Sequence, residues 1–326
     1  MRAFIASFFI LTLLAVGRGH TAPAMVIDAE TGLVIYAEDQ YRLWPPASLT
    51  KLMTAFITFE AIRDGQLSLE DTIQCSQHAM LQPPSKIGLP VGGQITVDLG
   101  LKALMVKSAN DVAVMLAEKI SGSEAAFVAR MNETAKRLGM SRTTFHNSNG
   151  LPHPQQVTTA HDMAVLGRAL LKEFPQHGQL YSMTSFQIGK RTLSTHNEIF
   201  RIFEGADGLK TGFICASGYN VVTSATRNGR RMIAVVLGAT SGMSRGQRAA
   251  DLMDYGFSHY GWKSLFNASI EAAQPPAASV LEVPGNVSDI VCSGRRLAGH
   301  IAKRKRAAKK KAAKAAAAKP AAKPGG

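Results

Sequence analysis

The sequence predicts an α/β (α+β) fold, an antiparallel sheet flanked by helices with an inserted, mostly helical subdomain. Three observations predict it. Strand-like runs open the chain and return late in it, and the stretch between them repeats its apolar residues at helical spacing. An amphipathic helix then follows the last strand run. Early and late strands sharing one sheet make the helical block an insertion in a single discontinuous unit.

The elements follow in order. Residues 1–24 read as a secretory signal peptide: Arg2 supplies a positive start, residues 3–16 are apolar, and small residues surround Ala22-Pro23-Ala24. That apolar stretch is shorter than the roughly 20 residues a membrane span needs, so export to a periplasmic space is expected. Met25-Val26-Ile27-Asp28 and Leu33-Val34-Ile35-Tyr36 flank Ala29-Glu30-Thr31-Gly32 and read as a hairpin. Trp44-Pro45-Pro46-Ala47 breaks the chain before a helix over 48–62, where Leu52, Phe56 and Phe59 recur at helical spacing. Further helical patterns cover 99–106, 111–120, 124–138 and 159–171. Strands are predicted over 209–215, 219–226 and 231–237, with Asn228-Gly229 as a tight turn between the last two. The final helix, 245–260, lines Ala249, Leu252, Met253 and Gly256 along one face. The division expected is a catalytic unit over 25–265, a linker over 266–294 and a disordered basic Lys/Ala/Pro tail over 295–326.

Charge narrows the class of protein. The 326 residues carry a formal net charge of +14. Residues 295–326 hold twelve Lys and Arg and no acid, and residues 1–24 only Arg2 and Arg18. Residues 25–294 are thus left with 23 basic against 23 acidic residues. A basic nucleic-acid-binding body is excluded, and the tail has no aromatic residue for base stacking, so no specific nucleic acid partner is expected. The tail reads as a solvated extension or as a contact to anionic lipid or another envelope polyanion, which would place the protein peripherally on a membrane. Cys75, Cys215 and Cys292 are odd in number, so at least one is unpaired within the chain. Their spacing does not choose a pair. Neither Cys-x-x-Cys nor His-Glu-x-x-His occurs, and no metal or cofactor is expected.

Three short motifs carry chemistry. Ser48-Leu49-Thr50-Lys51 opens the first long helix, and a spacing of three sets Ser48 and Lys51 on one face. A serine hydroxyl needs a neighbouring base to become a nucleophile. Lysine serves as that base only when burial or nearby cations depress its pKa. Ser108-Ala109-Asn110 lies where one helix ends and the next begins, a position that helix capping alone also explains. Lys210-Thr211-Gly212 follows Asp207-Gly208-Leu209 on a strand, where Lys and Thr can face a cleft and Gly permits close approach. Cys215, three residues beyond Gly212, reads as a small buried strand residue.

Jointly, in this order and these elements, the motifs are the set shared by class A β-lactamases and penicillin-binding proteins. With Pro45-Pro46-Ala47-Ser48-Leu49-Thr50-Lys51, Lys107-Ser108-Ala109-Asn110-Asp111, Asn149-Gly150-Leu151 and Asp207 through Phe213, the sequence resembles the serine-type D-Ala-D-Ala carboxypeptidases, the low-molecular-mass penicillin-binding proteins. The resemblance runs from about Met25 to Tyr260 and implies a β-lactamase/transpeptidase-like fold. It also implies roles. Ser48 attacks the carbonyl between the terminal D-alanines of a peptidoglycan stem peptide, Lys51 is the general base, and Ser108 relays a proton to the leaving amine. Asn110 holds the substrate amide, and Lys210 and Thr211 bind the terminal carboxylate beside Gly212. The backbone N–H groups of Ser48 and Phe213 form the oxyanion hole, and β-lactams are expected as covalent inhibitors. A D,D-endopeptidase cutting peptidoglycan crosslinks is the near alternative, and a non-catalytic envelope-binding protein is less favoured. A β-lactamase is less favoured, because the Glu-x-x-Leu-Asn string of class A enzymes is missing: Glu118, Glu124, Glu133, Glu173, Glu198 and Glu204 all lack that context. Many members of this family continue into a β-rich domain and an amphipathic anchor, for which the residues after Lys263 are too few.

Overall fold

The computed structural model describes residues 22–273 and 282–293. Residues 1–21 of the expected signal peptide and the basic tail lie outside them. Nine strands are described: β1 (Ala24–Asp28), β2 (Val34–Glu38), β3 (Thr72–Gln74), β4 (Gln94–Thr96), β5 (Ser185–Ile188), β6 (Arg191–Ser194), β7 (Ala206–Ile214), β8 (Gly218–Arg227) and β9 (Arg230–Ala239). Five of them form one antiparallel sheet in the order β2-β1-β9-β8-β7. The early hairpin and the late strands therefore share a sheet, as the sequence pattern requires. β1 already begins at Ala24, and the carbonyl of Pro23 accepts the Leu237 amide, so strand pairing reaches into the expected signal boundary.

Alternation along β9 explains how helices come to lie on both faces. Met232, Ala234 and Val236 join one buried cluster with Leu252 and Met253, while Ile233, Val235 and Leu237 join the other with Leu52, Phe56 and Leu166. Side chains of period two on one strand thus feed two separate cores. The tight turn between β8 and β9 has positive φ at both Asn228 and Gly229, the geometry that matches the twist of a hairpin.

The helices are α1 (Thr50–Arg63), α2 (Gln77–Leu81), α3 (Val97–Lys102), α4 (Asn110–Ser121), α5 (Glu124–Arg137), α6 (Ala160–Glu173), α7 (Gly178–Tyr181), α8 (Ile199–Ile202), α9 (Gly242–Lys263) and α10 (Ser288–Val291). Every residue of α1 from Thr50 to Ala61 is buried, so it is the central helix, enclosed on all sides rather than amphipathic. The sheet packs α9 on one face and α1 with α6 on the other. Ala249, Leu252, Met253 and Gly256 all face inward from α9, as their spacing predicts, and a Cβ at Gly256 would lie 2.9 Å from Val26. The helical pattern at 99–106 is α3 continued by a π-helical turn, Ala103–Lys107. None of the described helices is long and apolar enough to cross a membrane.

Residues 282–293, expected as linker, are packed. Gly285 N–H donates to Leu43 O, and its Cα lies so close to the Trp44 ring that an added Cβ would sit 1.9 Å from it. The Val287 amide donates to Ala216 O. A disulfide joins Cys292 to Cys215, which lies past the end of β7 in the turn to β8. Cys75 is the buried free thiol.

Candidate active site

Ser48 sits in a 3₁₀ turn, Ala47–Leu49, that runs directly into α1. The turn is held from three sides. Asn220 of β8 donates to Pro45 O at 3.0 Å and Pro46 O at 3.2 Å. β7 comes so near that a Cβ on Gly212 would lie 3.0 Å from Ser48 N and 3.1 Å from Leu49 N. At Gly150, whose φ is +86°, a Cβ would lie 1.9 Å from Ala47 O. Glycine at 212 and 150 is thus required by backbone packing against the nucleophile turn.

One turn along α1, Lys51 is fully buried with its ammonium converging on polar atoms. Nζ donates to Asn149 O at 2.5 Å, Asn110 Oδ1 at 2.8 Å and Ser48 Oγ at 3.1 Å. Burial pushes its pKa well below the ordinary lysine value and the nearby Lys210 cation adds to this, against a smaller opposing pull from Asp111. Both conditions that make lysine a base are met here.

Ser108 follows the π-helical turn with φ 61° and ψ 39°, a left-handed conformation uncommon outside glycine. Its Oγ is buried and makes no hydrogen bond. A capping serine would spend its hydroxyl on the following helix; this one does not, and α4 has no side-chain cap. Asn110 opens α4, donating through Nδ2 to Pro83 O at 2.9 Å while Oδ1 accepts from Lys51.

On β7, Lys210 and Thr211 are buried at 3% and 8% exposure. Lys210 Nζ donates to Thr211 O at 2.9 Å. Burial, helped by the Arg245 guanidinium, pulls the Lys210 pKa from 10.5 to about 7. A cavity of about 450 Å³ joins these pieces, lined among others by Ser48, Ser108, Asn110, Thr211, Phe213 and Arg245. All three motifs meet there.

Arg245 was not among the candidates read from the sequence. It is buried, donates to His196 O at 2.7 Å and is ion-paired with Glu198, while its Nε has no partner. Burial draws its pKa down, opposed by Glu198. A signal existed: Arg245 lies four residues before Ala249, on the apolar stripe of α9, where a cation needs a reason. Asn220 was equally unflagged, and Asn149 was part of the resemblance without a role assigned, because each acts through contacts distant in sequence.

Residues 17–241 match the family described as D-alanyl-D-alanine carboxypeptidase, and the chain belongs to it. It is 34% identical over 256 residues to the D-alanyl-D-alanine carboxypeptidase DacF of Bacillus subtilis, covering 77% of this chain and 66% of that protein. To DacC of Escherichia coli it is 32% identical over 243 residues, covering 72% and 61%. The chain thus spans somewhat less than two thirds of the length of these relatives. Among solved structures, the D-alanyl-D-alanine carboxypeptidase DacD of Francisella tularensis superposes with a TM-score of 0.70 at 30% identity, covering 78% of this chain and 74% of that one. Penicillin-binding protein D2 of Listeria monocytogenes, solved in its cefotaxime-bound form, gives 0.66 at 33% identity, covering 72% and 96%. The mixed α/β architecture with its antiparallel sheet is that of these neighbours.

Proposed function

We propose that this protein is a serine D-Ala-D-Ala carboxypeptidase that removes the terminal D-alanine of peptidoglycan stem pentapeptides through an acyl-enzyme on Ser48. The observation that carries the reading is Lys51: a fully buried amine 3.1 Å from Ser48 Oγ with its pKa driven down. Neutral Lys51 takes the Ser48 proton as Oγ attacks the penultimate D-alanine carbonyl. The oxyanion is held by the backbone N–H groups of Ser48 and Phe213, donors aimed at developing charge. The amide C–N bond then breaks, and Ser108, whose hydroxyl is uncommitted, passes the proton from Lys51 to the leaving amine. Asn110 orients the substrate amide. Lys210, Thr211 and Arg245 hold the terminal carboxylate, a role that suits buried cations with spare donors. Water then attacks the ester carbonyl, giving its proton to neutral Lys51, and as the ester C–O bond breaks Lys51 passes that proton to Ser48 Oγ, restoring both groups. β-lactams present a similar carbonyl and carboxylate and acylate the same serine; the Listeria relative was solved with cefotaxime and with ampicillin. Glu198, a carboxylate lining the cleft, is committed to Arg245, which disfavours rapid β-lactam hydrolysis.

The test is mass spectrometry of a pentapeptide ending in D-Ala-D-Ala after incubation with the protein. Loss of one alanine supports the reading, and an unchanged peptide contradicts it. A periplasmic location is supported by the signal-like N-terminus and by a disulfide, which forms in oxidising compartments. The basic tail is proposed to hold the enzyme to anionic lipid or another envelope polyanion. Binding to anionic vesicles that persists after deletion of residues 295–326 contradicts that.

A further inference from the structure

Lys51 as a base has a directional requirement. A neutral amine has two N–H bonds and one lone pair, and the lone pair must point at Ser48 Oγ. Two strong carbonyl acceptors, Asn110 Oδ1 at 2.8 Å and Asn149 O at 2.5 Å, can take the two N–H bonds. The lone pair is then left facing Ser48. With either acceptor displaced, that direction is no longer set. Asn110 belongs to a motif already assigned, but Asn149 O is a backbone atom, so its position depends on whatever fixes the peptide around it.

Glu124, the first residue of α5, anchors the residue just before Asn149. Its Oε1 accepts from Ser148 N at 2.9 Å and Ser148 Oγ at 2.6 Å. Its Oε2 lies 2.6 Å from His78 Nε2 on α2. Ser148 O in turn accepts from Thr54 Oγ1 at 2.6 Å, one turn along α1 from Lys51. Consecutive carbonyls of Ser148 and Asn149 are therefore bound by consecutive turns of α1, with the Glu124 carboxylate clamping the amide between α5 and the loop. The loop is tied again where Asn147 Oδ1 accepts from Gly150 N at 2.7 Å and Asn149 Nδ2 donates to Gln82 Oε1 at 3.0 Å. Burial opposes the charge on Glu124, but the bonds from Ser148 and His78 hold its carboxyl below the ordinary range. The clamp stays ionised where Lys51 works.

We propose that Glu124 is a positioning residue for the acylation step, aiming the lone pair of Lys51 at Ser48 by anchoring Ser148, the residue that precedes the Asn149 carbonyl. The proposal rests on the acyl-enzyme reading above. It is tested by stopped-flow labelling with a fluorescent penicillin, separating the limiting acylation rate from the concentration giving half that rate. Glu124→Ala is expected to lower the limiting rate roughly 10- to 100-fold, the size of effect that small misplacements produce. The half-saturating concentration stays within about twofold, because nothing that touches the ligand has changed. Glu124→Gln keeps a carbonyl oxygen for Ser148 and is expected to restore the rate to within about threefold of wild type. A purely electrostatic role would not give this rescue, and a merely structural one would not confine the Glu124→Ala defect to the limiting rate. If Glu124→Ala does not fold, Ser148→Ala, which removes only the Oγ bond, replaces it, with an expected fall of about threefold or more.

The proposal is overturned if folded Glu124→Ala, or Ser148→Ala in its place, acylates at the wild-type rate. It is equally overturned if Glu124→Gln is as slow as Glu124→Ala, or if the defect lies in the half-saturating concentration. A wild-type protein that takes no label contradicts the acyl-enzyme reading itself.

Discussion

Replacing Lys210 by arginine is expected to displace the alkaline limb of the pH–activity profile. Lys210 is buried in β7, and its pKa falls from the ordinary 10.5 to about 7. That gap amounts to roughly 5 kcal/mol against the ammonium inside the fold. The free enzyme therefore loses the Lys210 charge as pH rises through about 7, and with it a partner for the substrate carboxylate. kcat/KM reports ionisations of the free enzyme and should decline by up to about tenfold per pH unit above that point. The acid limb reports Lys51, which must be neutral to act. Arginine at 210 keeps its charge at any pH tested, so in Lys210→Arg the alkaline limb should vanish below about pH 9, even if the plateau is lower. Stability moves with a definite sign. The folded pKa lies below the unfolded one, so the unfolded chain binds more protons between about 7 and 10.5 and stability rises with pH across that window. Below it the full cost is present, and Lys210→Met should be more stable than wild type there, by an amount of the order of a few kcal/mol. The assay is D-alanine release from pH 5 to 10 for both proteins, with thermal melts of Lys210→Met. An alkaline limb that stays near 7 in Lys210→Arg would refute the assignment.

Gly150→Ala should cut acylation by about 100-fold or more, because its Cβ would meet Ala47 O at 1.9 Å and a positive φ adds strain. Wild-type labelling kinetics in that variant would disprove the packing argument. Arg245→Gln removes a charged donor and leaves Glu198 unpaired in the cleft. KM should rise roughly 10- to 100-fold, the equivalent of one charge-assisted hydrogen bond, and a change confined to kcat would count against carboxylate binding. Cys215→Ser with Cys292→Ser opens a link spanning 77 residues, worth up to about 4.5 kcal/mol by loop-closure entropy. Calorimetry should show a fall in melting temperature of about 5–15 °C, and equal midpoints would mean that the non-covalent contacts of the 282–293 segment, to Leu43, Trp44 and Ala216 among others, hold it without the disulfide.

What could be read from the sequence was what short-range pattern encodes. The early hairpin, the three late strands with their Asn228-Gly229 turn, and the inward face of α9 all follow from periods of two and 3.6 residues. The motif residues Ser48, Lys51, Ser108, Asn110, Lys210, Thr211, Gly212 and Phe213 were all legible as candidates, and they meet around one cavity or in its wall. The β3–β4 pair and the β5–β6 hairpin were missed because three- and four-residue strands with one or two apolar residues carry too little pattern. The left-handed Ser108 was missed because a serine at a helix boundary ordinarily caps. The Cys215–Cys292 pairing and the seating of Gly285 on Trp44 join residues far apart in sequence, which periodicity cannot see. Arg245, Asn149 and Glu124 share that cause: each is ordinary locally and acquires its role only when α9, the 147–151 loop and α5 are brought together.

The central claim is that Ser48, activated by Lys51, forms a covalent acyl intermediate. Intact-protein mass spectrometry after a brief exposure to a penicillin tests it most directly. The account predicts one penicilloyl adduct on the wild-type protein, mapped to the peptide containing Ser48, and none on Ser48→Ala. An adduct of equal yield on Ser48→Ala, or one mapped to another residue in the wild type, would contradict it.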